Sequence, residues 1–129
     1  MKHPALIKRM DGIWQAIITS VGYCELCGYG GSLVGHHAIR TKGQGFATRW
    51  VIDNGSCLCS DIKGCHQKVH DACDCRGPML RTLMIERIGI ERYEAVQFLH
   101  DSRTWSIDDL REVLADLERV AVDMGVEIS

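Results

Sequence analysis

Two segments of the 129-residue chain concentrate its metal-binding side chains: CELCGYGGSLVGHHAI at 24–39 and DNGSCLCSDIKGCHQKVH at 53–70. Together they contain five of the seven cysteines and four of the six histidines. Cysteines at this density are typical of either metal sites or disulfide frameworks. The cysteine count is odd and the N-terminus lacks an apolar segment of signal-peptide length, so we favour metal binding in a reducing compartment.

The cysteines predict a structural zinc site. Cys24 and Cys27 form a CxxC pair followed by glycine, the shape of a zinc knuckle that brings two thiolates to one tetrahedral ion. For the second pair we select Cys59 and Cys65, which bracket a five-residue loop. Cys57 competes with Cys59, because side chains two apart on a strand share a face. Such a site supplies folding energy to a segment that is poor in large apolar residues.

Two further cysteines, Cys73 and Cys75, are left outside this site. They are interpreted either as small buried residues or as ligands of a second metal. If they act together with Cys57 as reactive thiols, the chain would instead be a redox or metal sensor.

The histidines form a second group. His66 and His70 lie in a segment, 65–72, that we predict as a short helix, where residues four apart share one face. His36 and His37 follow the apolar Leu33-Val34 and, on a strand, point to opposite faces. One of the two can therefore bind a metal while the other addresses a neighbouring group.

Taken in order, CELC (24–27), GHHAI (35–39), DNGSCLC (53–59) and CHQKVH (65–70) resemble the HNH nuclease family. The resemblance covers about residues 24–70. It implies an α+β protein with a small ββα-metal HNH core and a four-cysteine structural zinc site. An N-terminal helix and a C-terminal helical region are expected to flank this core.

The resemblance also implies roles for individual residues. His36 and His66 match ligands of the catalytic metal, and His70 matches the extra helical histidine of DNase colicins. His37 matches the general base and Asn54 the residue that holds the loop carrying the base. A one-residue slip of the strand register would exchange the roles of His36 and His37. The divalent cation stays open between Mg²⁺, which prefers oxygen ligands, and Mn²⁺, Ni²⁺, Co²⁺ or Zn²⁺, which suit imidazole better.

Charge is distributed unevenly along the chain. The net charge of −2 combines +3 in residues 1–76 with −5 in residues 77–129. Local charge matters more than the total for a partner within a Debye length. The resemblance implies DNA as the partner, and the charge favours the first part of the chain as its binding region. Five basic residues that flank the predicted ligands are expected to contact phosphates: Arg40, Lys42, Arg49, Lys63 and Lys68.

Periodicity predicts the remaining elements. Apolar spacing indicates a helix over 5–21 that ends near Gly22. Trp50-Val51-Ile52 is read as a strand before a turn at Asp53-Asn54-Gly55. A helix opened by Pro78 is expected to stop at Gly89, and another to run from Ile90 to about His100. We expect one domain over 1–129, made of an N-terminal helix (1–22), a zinc-stabilised core (23–76) and a helical tail (77–129).

The last helix has the clearest pattern. Ser106 and Asp109 predict a capping box, and Gly125 predicts the end of the helix. Apolar residues then repeat at spacings of three and four, as in an a/d seam: Ile107, Leu110, Leu114, Leu117, Ala121 and Met124. The seam either packs on the core of its own domain or forms a homodimer, and the two are compatible.

The residues and the resemblance together predict a metal-dependent HNH endonuclease that hydrolyses DNA phosphodiester bonds. RIGIERYEA (87–95) looks like the tail of phage recombination-associated HNH nucleases of the NinG/Rap kind, which implies branched DNA as the substrate in a phage or prophage setting. The alternative is a non-catalytic zinc module that binds nucleic acid or protein. No apolar run is long enough for a membrane span, so we expect a cytoplasmic protein, in a bacterial host cell if it is phage-encoded.

Overall fold

The structure is a computed structural model that describes residues 3–38, 46, 48–61, 64–70, 76–97 and 105–128. It is an α+β protein with one two-stranded antiparallel sheet among the described residues. No helix in those ranges is both long and apolar enough to cross a bilayer. In chain order the elements are α1 (Pro4–Thr19), β1 (Leu33–His37), a 3-10 helix (Ile52–Asn54), β2 (Gly55–Cys59), α2 (Cys65–Lys68), α3 (Arg76–Ile88), α4 (Ile90–Gln97) and α5 (Ile107–Asp123).

Helix α1 forms the centre of the larger apolar core, which confirms the predicted N-terminal helix. Pro4 stands in its first turn, where a missing N–H costs nothing. The helix ends at Thr19, and Gly22 follows with a φ of +86°. Its buried side chains recur at spacings of three and four and so lie on one face: Ile7, Met10, Ile13, Trp14, Ile17 and Ile18.

The sheet packs directly against α1. Strands β1 and β2 pair in a register that places Gly35 opposite Cys57 and His37 opposite Gly55. A Cβ on Gly55 would lie 2.2 Å from the Cδ1 atom of Ile18, and one on Gly35 would lie 2.9 Å from Oε1 of Gln15. A side chain at either position would force these atoms or the nearby Trp14 ring to shift, so the two glycines favour the close approach of helix and sheet.

The predicted strand at Trp50-Val51-Ile52 is wrong. Residues 48–50 form a turn, Ile52–Asn54 is a 3-10 helix, and the strand begins only at Gly55. Trp50 is buried in the main core, but its indole Nε1–H donates to Oδ1 of Asp11 on α1 at 2.9 Å. Trp50 is therefore buried by tertiary contacts, including those with α1, and not by strand pairing.

Helices α3 and α4 cover the other side of the sheet. A second apolar cluster includes Leu58 of β2, Leu80 and Met84 of α3, and Tyr93 of α4. Gly89, with a φ of +87°, ends α3 as predicted. Helix α3 begins at Arg76, two residues before the predicted start, and α4 is described only to Gln97, so the predicted end near His100 lies outside the described residues.

Helix α5 packs against α1 and contributes to the same apolar core. Its predicted capping box is confirmed: the Asp109 N–H donates to Oγ of Ser106 at 3.1 Å, and the Ser106 N–H donates to Oδ2 of Asp109 at 2.8 Å. The buried seam residues, Leu110, Leu117 and Ala121, belong to the same apolar cluster as α1. The seam thus packs on its own domain, and a homodimer through it stays a prediction.

Candidate metal centres

Four cysteines meet at one end of the sheet. The Sγ atoms of Cys24, Cys27, Cys59 and Cys65 all lie within 4.8 Å of one another. The Sγ atoms of Cys27 and Cys59 are 3.7 Å apart, far beyond the roughly 2.05 Å of a disulfide. Tetrahedral thiolates at about 2.3 Å from one zinc ion stand about 3.8 Å apart. The four sulfur atoms therefore have a spacing that suits one metal ion.

Local backbone structure brings the first pair to the strand. The Gly28 N–H donates to the Cys24 carbonyl at 2.8 Å, and Gly28 has a φ of +81°, which closes the CxxC turn. The N–H of Glu25 donates to the Cys57 carbonyl at 2.8 Å, and the Cys57 N–H donates to Oε1 of Glu25 at 2.8 Å. The knuckle is thus attached to β2, whose last residue is Cys59.

The structure distinguishes Cys59 from Cys57. Cys57 is fully buried in the cluster with Trp14 and Ile17, on the α1 side of the sheet. Burial, reinforced by the nearby Glu25 carboxylate, raises the pKa of the Cys57 thiol to about 11. Cys59 ends the strand and turns its thiol into the group of four. Cys73 and Cys75 lie outside the described residues.

The thiols of the cluster differ in their electrostatic surroundings. Burial raises the pKa of Cys24, but backbone hydrogen bonds to its sulfur from Cys27, Cys59 and Leu26 outweigh burial and bring that pKa down to about 7. Burial and neighbouring thiols raise the pKa of Cys65 to about 12. Since metals bind the thiolate form, a cation entering here displaces protons.

Three histidines form a second cluster. Ring nitrogens of His36, His66 and His70 all lie within 4.8 Å of one another. The ligating nitrogen atoms of imidazoles on one tetrahedral zinc ion are about 3.4 Å apart. The three ring centroids are 5.0–5.3 Å apart, and each pair of rings meets edge to face. Edge-to-face rings can turn their nitrogens toward a common point, which parallel rings cannot. Three neutral imidazoles are a suitable donor set for Zn²⁺, Ni²⁺, Co²⁺ or Mn²⁺.

The histidine ligands come from β1 and α2. His36 is buried on β1, opposite Ser56 of β2. Helix α2 covers only Cys65–Lys68, shorter than the predicted 65–72, but a further hydrogen-bonded turn follows, in which the His70 N–H donates to the Gln67 carbonyl at 3.2 Å. This turn keeps His70 one helical turn after His66, as the spacing predicts.

His37 points to the opposite face of β1. Its ring stacks on Trp14, with centroids 4.1 Å apart and an angle of 1° between the planes. Its Nε2 lies 2.8 Å from the Arg49 carbonyl oxygen. Because a carbonyl can only accept, Nε2 carries the proton, and Nδ1 holds the lone pair in the neutral ring.

Asn54 joins the loop before β2 to the end of β1. The side chain is fully buried, and its Nδ2–H donates to the Thr48 carbonyl at 3.2 Å. Its own carbonyl accepts the Ala38 N–H at 2.9 Å, directly after His37. These bonds fix the 48–51 loop, and with it the Arg49 carbonyl, next to the His37 ring.

The predicted phosphate contacts are described only in part. Arg49 donates through two nitrogens to the Asp11 carboxylate at 2.9 and 2.6 Å, and this hydrogen bond raises the pKa of Arg49. The guanidinium therefore has a partner within the chain. Lys68 lies half-buried on α2. Arg40, Lys42 and Lys63 fall outside the described residues. A phosphate contact by any of the five stays a prediction.

Asp11 is a site residue that the sequence did not reveal. It belongs to no motif and lies more than 35 positions from its partners Arg49 and Trp50. The one available signal is that it is the only acidic residue in α1.

Comparison of the chain with protein-family models, curated proteins and solved structures gives no match. What the two clusters can do must therefore follow from their donor atoms and surroundings. These are four sulfur atoms at one end of β2 and three imidazoles between β1 and α2.

Proposed function

We propose that the chain is a metal-dependent endonuclease of the HNH type that hydrolyses DNA phosphodiester bonds. The observation that carries the proposal is the juxtaposition of a three-histidine cluster with His37, whose ring is held by the Arg49 carbonyl. The order of elements, two antiparallel strands followed by a helix, also supports a ββα core.

In this proposal, His36, His66 and His70 hold the catalytic divalent cation. When bound, that cation would polarise the phosphate and neutralise charge on the leaving oxygen. The protein holds its three imidazoles in place through β1 and the helical turns after Cys65. His36 is 6% exposed and would bind the cation from the buried side of the cluster, whereas His70 is exposed and would bind it from the solvent side.

His37 is the proposed general base. With Nε2–H donated to Arg49, the ring presents Nδ1 as the atom that takes a proton from water. His36 and His37 are neighbours at the end of β1 but face opposite sides. A substrate phosphate that reaches both must therefore lie across the end of this strand.

Asn54 has the proposed role of positioning the base. It does not need to touch DNA, because its bonds to Thr48 and Ala38 fix the loop that carries the Arg49 carbonyl. Such support commonly decides whether a catalytic side chain stays in one orientation.

The four-cysteine cluster is proposed to bind a structural zinc ion. The ion would connect the knuckle, the end of β2 and the first residue of α2 through Cys27, Cys59 and Cys65. His66 follows Cys65 directly, so the zinc site would also fix one ligand of the second cluster.

Branched or recombination-intermediate DNA is the narrower form of the proposal. It depends on the likeness of residues 87–95 to recombination-associated nucleases, a segment that covers the end of α3 and most of α4. The net charge of +3 over residues 1–76 supports a polyanionic partner for the core.

The test is a cleavage assay on supercoiled plasmid and on a synthetic four-way junction, with EDTA or with Mg²⁺, Mn²⁺, Ni²⁺ or Zn²⁺. His37→Ala is compared with His3→Ala, which removes a histidine outside the site. We expect metal-dependent cutting by wild type and His3→Ala, and none by folded, zinc-loaded His37→Ala. Absence of cutting by folded, metal-loaded wild type on both substrates would instead favour a non-catalytic zinc module.

A further inference from the structure

Helix α1 contacts the 48–51 loop through polar bonds at two points. Asp11 accepts hydrogen bonds from the Arg49 guanidinium at 2.6 and 2.9 Å and from the Trp50 indole N–H at 2.9 Å. One turn later, the Trp14 indole N–H donates to the Val51 carbonyl at 3.1 Å. Three consecutive loop residues are thus attached to one face of the helix.

The same loop holds His37. The Arg49 carbonyl accepts a hydrogen bond from His37 Nε2–H at 2.8 Å, while the Trp14 ring covers one face of the imidazole. The side chain of Arg49 therefore points to Asp11 and its carbonyl points to His37. The peptide unit that contains this carbonyl joins Arg49 to Trp50, and the side chains of both residues bond to Asp11.

We infer that Asp11 is a positioning residue for His37: by holding the side chains of Arg49 and Trp50, it fixes the carbonyl that orients the imidazole. The role in the reaction rests on the proposed nuclease function. The orientation itself does not, because it follows from contacts within the protein.

The geometry favours a specific role for Asp11 over general support of the helix. The carboxylate makes a two-pronged pair with Arg49, in which both oxygens are engaged and the guanidinium plane is fixed. Arg49 also lies 5.8 Å from the Phe46 ring and 5.6 Å from the Trp50 ring, which restricts it further. Asp11 therefore holds the residue on one side of the peptide unit through the Arg49 guanidinium and the residue on the other side through the Trp50 indole.

A second ion pair of α1 provides the matched control. Arg9 pairs with Glu118 of α5 at 3.0 Å, and Glu118 is 39% exposed, against 38% for Asp11. Removing either carboxylate charge takes one comparable ion pair from α1, but only Asp11 touches the loop. Both variants therefore remove an ion pair of α1, but Asp11→Asn also changes a contact with the 48–51 loop, whereas Glu118→Gln does not.

The first readout is the His37 ring N–H in a proton–nitrogen NMR spectrum, assigned by its absence in His37→Ala. We expect a resonance protected from exchange in wild type and in Glu118→Gln. In Asp11→Asn, exchange with water should be faster by at least about tenfold, as for a bond that opens locally. An unchanged resonance in folded Asp11→Asn would overturn the inference, whatever the nuclease assay gives.

The second readout is single-turnover cleavage. We expect Asp11→Asn to lower the maximal rate by about 10- to 100-fold, the usual cost of losing outer support, with the DNA concentration at half-maximal rate unchanged. Glu118→Gln should keep the wild-type rate. A normal rate despite a lost ring N–H would show that Asp11 is not needed for the reaction.

The two proposals can fail separately. If wild type does not cut DNA, the proposed function fails, and the NMR comparison still decides whether Asp11 holds His37. Should Asp11→Asn not fold, Arg49→Lys repeats the comparison, because it keeps the charge but loses the two-donor fork.

Discussion

The imidazole of His37 lies flat against the indole of Trp14, with centroids 4.1 Å apart and planes within 1° of parallel. Trp14 is itself 1% exposed and donates its indole N–H to the Val51 carbonyl. One buried ring thus covers the proposed base and also fixes the loop that bonds to it.

Trp14→Phe should separate these two contributions. Phenylalanine keeps a ring beneath His37 but cannot donate to the Val51 carbonyl, which is left with the Asn54 N–H, and its smaller ring leaves part of a fully buried volume unfilled. We expect the free energy of unfolding in urea to fall by about 1–3 kcal/mol. Tyr29→Phe, a change at an aromatic side chain that is half exposed, should stay within about 0.5 kcal/mol. Equal losses in the two variants would contradict the importance of the Trp14 bond.

Cys59→Ala removes the thiol of a proposed zinc ligand. Cys57→Ala makes the same change two residues earlier, at a cysteine outside the group of four. Cys59 contributes its sulfur to the group of four, whereas Cys57 packs against α1. We expect Cys59→Ala to lose its zinc, measured by elemental mass spectrometry, together with much of its thermal stability. Cys57→Ala should keep one full equivalent of structural zinc. Zinc loss in Cys57→Ala alone would reverse the assignment.

Zinc affinity at the cysteine cluster should rise with pH. The pKa of Cys65 is raised to about 12, mainly by burial, so at neutral pH its thiol carries a proton that the metal must displace. Acidification favours the protonated thiol and therefore release of the ion. Calorimetric titration in buffers of different ionisation enthalpy should show proton release on binding. Binding heats that do not depend on the buffer would argue against this site.

His70→Ala should weaken the second metal site and leave the first intact. Its ring nitrogen lies within 4.8 Å of those of His36 and His66. Loss of an outer partner of a ligand usually costs 10- to 100-fold in affinity, so loss of a ligand should cost more than about 100-fold. Calorimetric titration of the zinc-loaded protein with Ni²⁺ measures this change. His3→Ala is the control, and equal Ni²⁺ affinity in both variants would exclude His70 as a ligand.

Ser106→Ala tests whether α5 belongs to the folded core of one chain. The hydroxyl accepts the Asp109 N–H, and the helix buries Leu110 and Leu117 against α1. We expect a loss of about 1 kcal/mol in urea unfolding, independent of protein concentration. A monomer mass in light scattering at tens of micromolar would contradict the predicted homodimer. A stability that rises with concentration would instead support the homodimer.

Local patterns predicted the elements whose causes are local. The capping box of Ser106 and Asp109, the stop at Gly89 and the CxxC turn each depend on residues within a few positions of one another. The same is true of His66 and His70, which a single helical turn separates. In these cases the spacing of residues along the chain is sufficient to predict the local structure.

The predicted strand that proved wrong involves a distant partner. Trp50 is an apolar, strand-favouring residue, yet its indole bonds to Asp11, 39 positions away, and the segment becomes a turn. Cys59, which we selected from the sequence, is the cysteine that joins the group of four, but Cys57 stayed a competitor because the choice depends on where the strand ends relative to α1 and the knuckle. No periodicity in the sequence carries information about such distant contacts.

The peptide bond between Cys65 and His66 makes one short helix the common support of both clusters. A chelator strong enough to remove a metal from the thiolates would loosen the start of this helix and so displace a histidine of the neighbouring cluster. Inhibition by EDTA would then be the combined result of two losses. Restoring activity should require zinc to be returned first and the second cation afterwards.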